Sequence, residues 1–122
     1  MRDALLLFAH GSREAAWAEP VHALRDRIQK QLPGHGVSLA FLEDMPPSLT
    51  DAVDTLAAQG ARDIRILPLF LGQGSHLRRD LPALVNAART SHAQIRIELL
   101  PAIGEQAAVL DSLARTIALT VR

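Results

Sequence analysis

The stretch Ala4-Leu5-Leu6-Leu7-Phe8-Ala9, which runs straight into His10-Gly11-Ser12-Arg13, decides the fold. Six apolar residues without alternation read as a strand covered on both faces, which is the habit of parallel sheets. Such a strand needs neighbours, and three further apolar runs supply them: Val37–Leu42, Ile64–Phe70 and Ile95–Leu100. The last alternates apolar with polar residues (Ile95, Ile97 and Leu99 against Arg96 and Glu98) and reads as an edge strand or one with a solvated face.

Segments of helical period lie between and after these runs. Trp17, Val21, Leu24, Ile28 and Leu32 recur at spacings of three and four. So do Leu49, Val53 and Leu56, then Leu77, Leu81, Leu84 and Ala88, and finally Leu110, Leu113, Ile117 and Val121. Trp17 reads as a core anchor of the first helix. Pro33-Gly34 and Gly60 stop the first two helices, and Ser48 with Asp51 resembles a capping box that opens the second. The order β-α-β-α-β-α-β-α forces parallel strands joined by right-handed crossovers. The expected fold is α/β: one doubly wound domain over residues 1–122, with a four-stranded parallel sheet flanked by helices.

Composition narrows the function. The 122 residues include 13 Lys and Arg against 13 Asp and Glu. This zero balance argues against nucleic-acid or anionic-membrane partners, which call for a basic excess. No cysteine is present, so disulfides and thiolate metal sites are excluded, and any metal must be held by imidazole and carboxylate. The amino terminus has no signal-like apolar region, and no run approaches the roughly 18–20 residues of a membrane span. A cytoplasmic protein is expected. A domain this short has a shallow core, so its site is expected to be an open cleft that a partner subunit could close.

Ligands of an open parallel sheet bind outside the carboxyl ends of its strands. The first strand ends in His10-Gly11-Ser12-Arg13 and the second in Glu43-Asp44. The third runs through Gly72-Gln73-Gly74-Ser75 into His76, just ahead of the third helix. His22 in a helix, His35 in a turn and His92 in an amino-edge loop read as ordinary structural or surface residues. His10 and His76 differ because glycines accompany both at strand-to-helix turns, where close backbone approach serves a ligand. Glu43 sits at a strand tip, whereas Asp44 reads as a solvated loop acid. Arg13, Arg78 and Arg79 lie near the same edge, against the helix dipole, as if to meet an anion. Neither glycine-rich turn carries a dinucleotide fingerprint or a phosphate-binding loop, so nucleotide binding has no support.

These blocks resemble a known family. Ala9-His10-Gly11-Ser12-Arg13, then Phe41-Leu42-Glu43 with Pro47-Ser48-Leu49, then Leu67-Pro68-Leu69-Phe70-Leu71 with Gly74-Ser75-His76, Asp80-Leu81-Pro82, look like the short sirohydrochlorin chelatases. These belong to the CbiX/SirB group of class II tetrapyrrole chelatases. The resemblance covers essentially the whole chain and implies a chelatase-like fold. It also implies insertion of Co2+, or of Fe2+ in siroheme-making relatives, into sirohydrochlorin for cobalamin or siroheme biosynthesis. The short form is expected to work as a homodimer, with no permanent cofactor and the metal as substrate. By position, the family's metal-binding histidines fall on His10 and His76, and its acidic strand-end residue on Glu43. Ser12, Arg13, Gly74 and Ser75 fall on the tetrapyrrole side. Short relatives that use Ni2+ carry a histidine-rich loop before the last strand. Residues 87–94 hold only His92, which argues against a nickel specialist.

The residue types suit that chemistry. Two neutral imidazoles hold a borderline ion such as Co2+ or Fe2+ without closing a four-ligand cage, so the ion can leave. Histidine also accepts protons near neutral pH. Glu43 could take the second pyrrole proton, steer the ion, or orient a histidine through its other nitrogen. The arginines could clamp substrate carboxylates. Two other readings fit the same residues: a metal or tetrapyrrole carrier without catalysis, and a phosphoryl-transfer domain with His10 as nucleophile and Arg13 as clamp.

Overall fold

In the computed structural model, which describes Met1–Arg122, the four runs form one parallel sheet in the order β2-β1-β3-β4. The strands are β1 (Asp3–Ala9), β2 (Gly36–Phe41), β3 (Asp63–Pro68) and β4 (Arg96–Leu99). The helices are α1 (Glu19–Gln31), α2 (Leu49–Ala58), α3 (Ser75–Ser91) and α4 (Ala107–Thr120), so the alternation expected from the sequence is observed. The continuously apolar β1 is central, paired with β2 from Ala4↔Gly36 to Ala9↔Phe41 and with β3 from Asp3↔Asp63 to Phe8↔Pro68. The alternating β4 lies at the edge, as its pattern implied.

The two faces of the sheet are unequal. On one face Leu6, Phe8, Ile64, Ile66 and Ile97 pack with Leu49, Val53 and Leu56 of α2 and with Leu81, Val85 and Ala88 of α3, in a core of 17 buried residues. On the other, Leu7, Ala9, Val37, Leu39 and Phe41 form a core of only 6 buried residues beneath Val21 and Ile28 of α1. Neither α1 nor α4 contains a fully buried residue.

One expectation needs correction. Trp17 is 40% exposed and lies in a 3-10 turn (Ala15–Ala18) ahead of α1, so it is not a core anchor. Pro20, near the start of α1, fits the first turn, where no N–H is needed, and the regular helix begins at Glu19. The stripe of α4 is also exposed, with Leu110, Leu113, Ile117 and Val121 between 39% and 81% accessible. Ser48 does cap α2, its hydroxyl accepting the Asp51 N–H at 3.1 Å. No helix is long and apolar enough to cross a membrane.

Candidate functional site

At the carboxyl edge, β1 and β2 hand over to loops that hold each other. The Leu42 N–H donates to the Ala9 carbonyl at 2.9 Å and the Glu43 N–H to the His10 carbonyl at 3.1 Å, which extends the ladder past both strands. Gly11 makes this approach possible. Its φ is +96°, and a Cβ there would sit 1.9 Å from the Glu43 carbonyl oxygen. The result brings the Nε2 of His10 to 3.0 Å from Oε1 of Glu43, with both side chains more than half exposed. Phe70 walls His10 from the other side, its ring edge-on at 6.5 Å between centroids.

His76 comes from the third strand end but not from a loop. Gly74 is the N-cap of α3 with extended backbone, so Ser75 and His76 occupy the first helical turn. This corrects the placement of His76 ahead of the helix. One helical turn on, Asp80 Oδ2 lies 3.3 Å from His76 Nε2. Arg79 Nη2 makes a long, exposed contact of 3.4 Å with His76 Nδ1. Each histidine therefore presents Nε2 to its own carboxylate. Where Nε2 carries the proton and donates to that carboxylate, the Nδ1 lone pair of His10 is left for another partner, while that of His76 meets Arg79.

The two pairs open onto one cleft of about 430 Å³, walled by Leu42, Phe70, Gly72, Gly74 and Leu77. They face it as separate pairs, since no three His, Asp or Glu side chains are gathered at metal-binding distance. An open cleft with two half-sites can receive a cation and release it, unlike a closed four-ligand cage.

The remaining candidates divide. Gly74 lines the cleft, but Ser12, Arg13 and Ser75 do not. Ser12 instead accepts the Glu14 N–H at 3.1 Å within the turn. The Arg13 side chain is 91% exposed and reaches only Asp44, at 3.7 Å. Arg78 faces a neighbouring cleft of about 300 Å³ with Gln73 and Glu105. His92, in contrast, is tied to Asp54 at 2.7 Å and joins α3 to α2, the structural task expected of it. Asp80 and Phe70 were given no role by the sequence reading. The spacing of four between His76 and Asp80 on a helix was the available signal for the first. Nothing local signalled the second, because Phe70 meets His10 only through the sheet.

Comparison with known proteins agrees with this architecture. The sirohydrochlorin cobaltochelatase of Methanothermobacter thermautotrophicus is 34% identical over 91 residues, which is 72% of this chain and 63% of that one. This chain spans 58–63% of the length of that enzyme and of two other archaeal cobaltochelatases. Among solved structures, a protein of Marinobacter aquaeolei VT8 described as a cobalamin-biosynthesis CbiX protein superposes with a TM-score of 0.87 at 28% identity, covering 98% of this chain and 97% of that one. The sirohydrochlorin chelatase SirB of Bacillus subtilis subspecies spizizenii, in complex with cobalt, superposes with a TM-score of 0.76 at 27% identity, covering 97% of this chain but 50% of SirB. The CbiX family model matches residues 4–120, nearly every element described above, and the chain belongs to the CbiX family.

Proposed function

We propose that this protein is a chelatase that inserts a divalent metal, Co2+ or Fe2+, into sirohydrochlorin, and that residues 1–122 act as one such domain in a cytoplasmic homodimer. The observation that carries the reading is the facing of two carboxylate-backed histidines, His10–Glu43 and His76–Asp80, across one open cleft. Support also comes from relatives named as sirohydrochlorin cobaltochelatases and ferrochelatases.

In this reading the metal is a substrate. His10 receives it through Nδ1, and His76 does so by releasing its long contact with Arg79, while Glu43 and Asp80 hold the rings in the receiving tautomer. The same carboxylates attract the cation into the cleft. When the ion moves to the macrocycle, the imidazole it leaves regains a free lone pair beside the pyrrole nitrogens. His10 and His76, each with its lone pair returned, then take one each of the two departing protons. The apolar walls, Leu42, Phe70 and Leu77, suit the flat face of a tetrapyrrole.

The deciding experiment follows the absorption spectrum of sirohydrochlorin with Co2+, Fe2+ or Ni2+, with and without protein. Acceleration by wild type, lost in His10→Ala and His76→Ala, is the expected result. Equal rates with and without protein would leave a carrier. Metal-independent hydrolysis of a phosphate ester would revive phosphoryl transfer, which the outward placement of Arg13 already disfavours.

A further inference from the structure

A second cleft opens at the carboxyl edge, and the handling of the metal makes no use of it. It encloses about 300 Å³ beside the first turns of α3, the ends of β3 and β4, and the 3-10 turn before α4. Pro68, Leu81 and Ala102 give it an apolar lining, while Gln73, Arg78 and Glu105 supply its polar groups.

Helix α3 is the wall between this cleft and the histidine cleft. His76, Leu77 and Asp80 line the histidine cleft, whereas Arg78, Leu81 and Pro82 line the second. At about 3.6 residues per turn, the two sets lie on opposite sides of one helix. The clefts are thus about one helix diameter apart, roughly 10 Å. They share a rim, because Gly72 and Gly74 line the first and Gln73 lines the second.

Arg78 differs from the other arginines of this edge. Arg13 and Arg79 already stand against carboxylates, Asp44 at 3.7 Å and Asp80 at 4.0 Å. Arg78 has no carboxylate within that reach, and its guanidinium meets no acceptor in the chain. Arg89 is the useful contrast. About three helical turns separate it from Arg78, so both leave α3 on the side of β4. Arg89 holds the fold together there, Nε donating to the Ile97 carbonyl at 2.9 Å and Nη1 to Asn86 Oδ1 at 2.9 Å. Arg78 holds nothing, and it presents a planar fork of donors, suited to a carboxylate, to an open cavity.

Sirohydrochlorin carries such carboxylates, as acetate and propionate side chains around the rim of the ring. The histidine cleft, at about 430 Å³, is near the lower end of sites for drug-sized ligands, roughly 300–1,000 Å³. A macrocycle seated on its apolar walls therefore projects part of its rim past α3.

We propose that the second cleft is a carboxylate subsite for sirohydrochlorin, in which Arg78 clamps one acid side chain of a macrocycle whose centre faces His10 and His76. This rests on the chelatase reading above and names the residue that recognises the rim of the substrate. Glu105, in the same cleft, repels a carboxylate that does not meet Arg78, which adds selectivity to the clamp. Arg78 faces away from the histidine cleft, so it acts on substrate affinity and not on metal transfer.

Steady-state kinetics with sirohydrochlorin and Co2+ test the subsite. Arg78 is exposed, so its replacement leaves the core intact. Arg78→Gln should raise the KM for sirohydrochlorin about tenfold, the scale of one charge-assisted contact, with kcat held near wild type. Arg78→Lys should recover part of that loss, since it keeps the charge without the fork. The difference between wild type and Arg78→Gln should narrow as salt is raised. Glu105→Gln removes a like charge from the cleft and should lower KM. Calorimetric titration with Co2+ alone should give one affinity for all four proteins. An unchanged KM in Arg78→Gln, a loss in kcat or Co2+ affinity instead, or a KM raised by Glu105→Gln would overturn the subsite and leave the chelatase standing. A wild type that neither binds nor metallates sirohydrochlorin would overturn the chelatase reading, and the subsite with it.

Discussion

Glu43 meets His10 twice: its backbone N–H donates to the His10 carbonyl at 3.1 Å, and its carboxylate lies 3.0 Å from the His10 imidazole Nε2. The first contact fixes where the strand tips lie, and the second fixes how the ring points. Because the backbone contact survives any change of side chain, the role of the carboxylate can be tested without moving the loop.

Glu43→Gln keeps the volume and removes the charge. The ring keeps a hydrogen-bond partner but loses the anion beside it. Turnover should fall about 10–100-fold, the usual effect of losing a partner behind a metal-handling histidine. Stability should change by less than about 0.5 kcal/mol, because the side chain is more than half exposed. Initial rates and a urea titration check both halves.

Gly11→Ala attacks the first contact. With φ at +96° and the Glu43 carbonyl in the space a Cβ needs, the loops must separate. A loss of about 1–3 kcal/mol is expected from the strained backbone. Activity should drop further than Glu43→Gln drops it, since His10 and Glu43 are both displaced. Denaturant unfolding with the chelatase assay measures this, and wild-type stability would show that the loops can part freely.

Asp80→Asn tests the second half-site. Asp80 touches His76 and no other imidazole, so its loss should weaken Co2+ binding about tenfold with the fold unchanged. Calorimetric titration of the protein with Co2+ alone reads this, and unaltered affinity would remove Asp80 from the site.

The difference between these residues and their neighbours was only partly legible in the sequence. The unbroken run from Ala4 to Ala9 sufficed for a central parallel strand, and alternation from Ile95 to Leu100 sufficed for an edge, because burial on one or two faces is written directly into side-chain type. His10 and Glu43 could be placed at strand tips for the same reason. That their strands are neighbours could not be seen, since the order β2-β1-β3-β4 depends on packing between distant segments. Trp17 misled in a related way. Helical spacing shows that a face is apolar but not what lies against it. Asp80 was visible only as a spacing, and it gained meaning once His76 proved to be inside α3 rather than before it.

His92 offers a control among the histidines. It joins Asp54 at 2.7 Å between α3 and α2, remote from the cleft. His92→Ala should cost about 1 kcal/mol, the scale of one partly exposed hydrogen bond, and leave kcat unchanged. Thermal unfolding and turnover measured on one preparation separate these effects.

Phe70 supports His10 from the core side. Its ring is 9% exposed and meets Phe8 edge-on at 6.1 Å and His10 edge-on at 6.5 Å between centroids. Phe70→Ala would cost about 3–5 kcal/mol and confuse lost packing with lost activity. Phe70→Leu is the more informative change, because it keeps a large apolar side chain and loses less packing than truncation to Ala. The Phe70 carbonyl would still accept the Gly104 N–H, so the turn before α4 stays anchored. What disappears is the flat wall beside the imidazole. With that wall gone the His10 ring gains freedom to rotate away from Glu43, so kcat should fall several-fold while the unfolding midpoint moves little. If kcat held at the wild-type level, the Glu43 contact alone would be enough to orient His10, and Phe70 would be a core residue only.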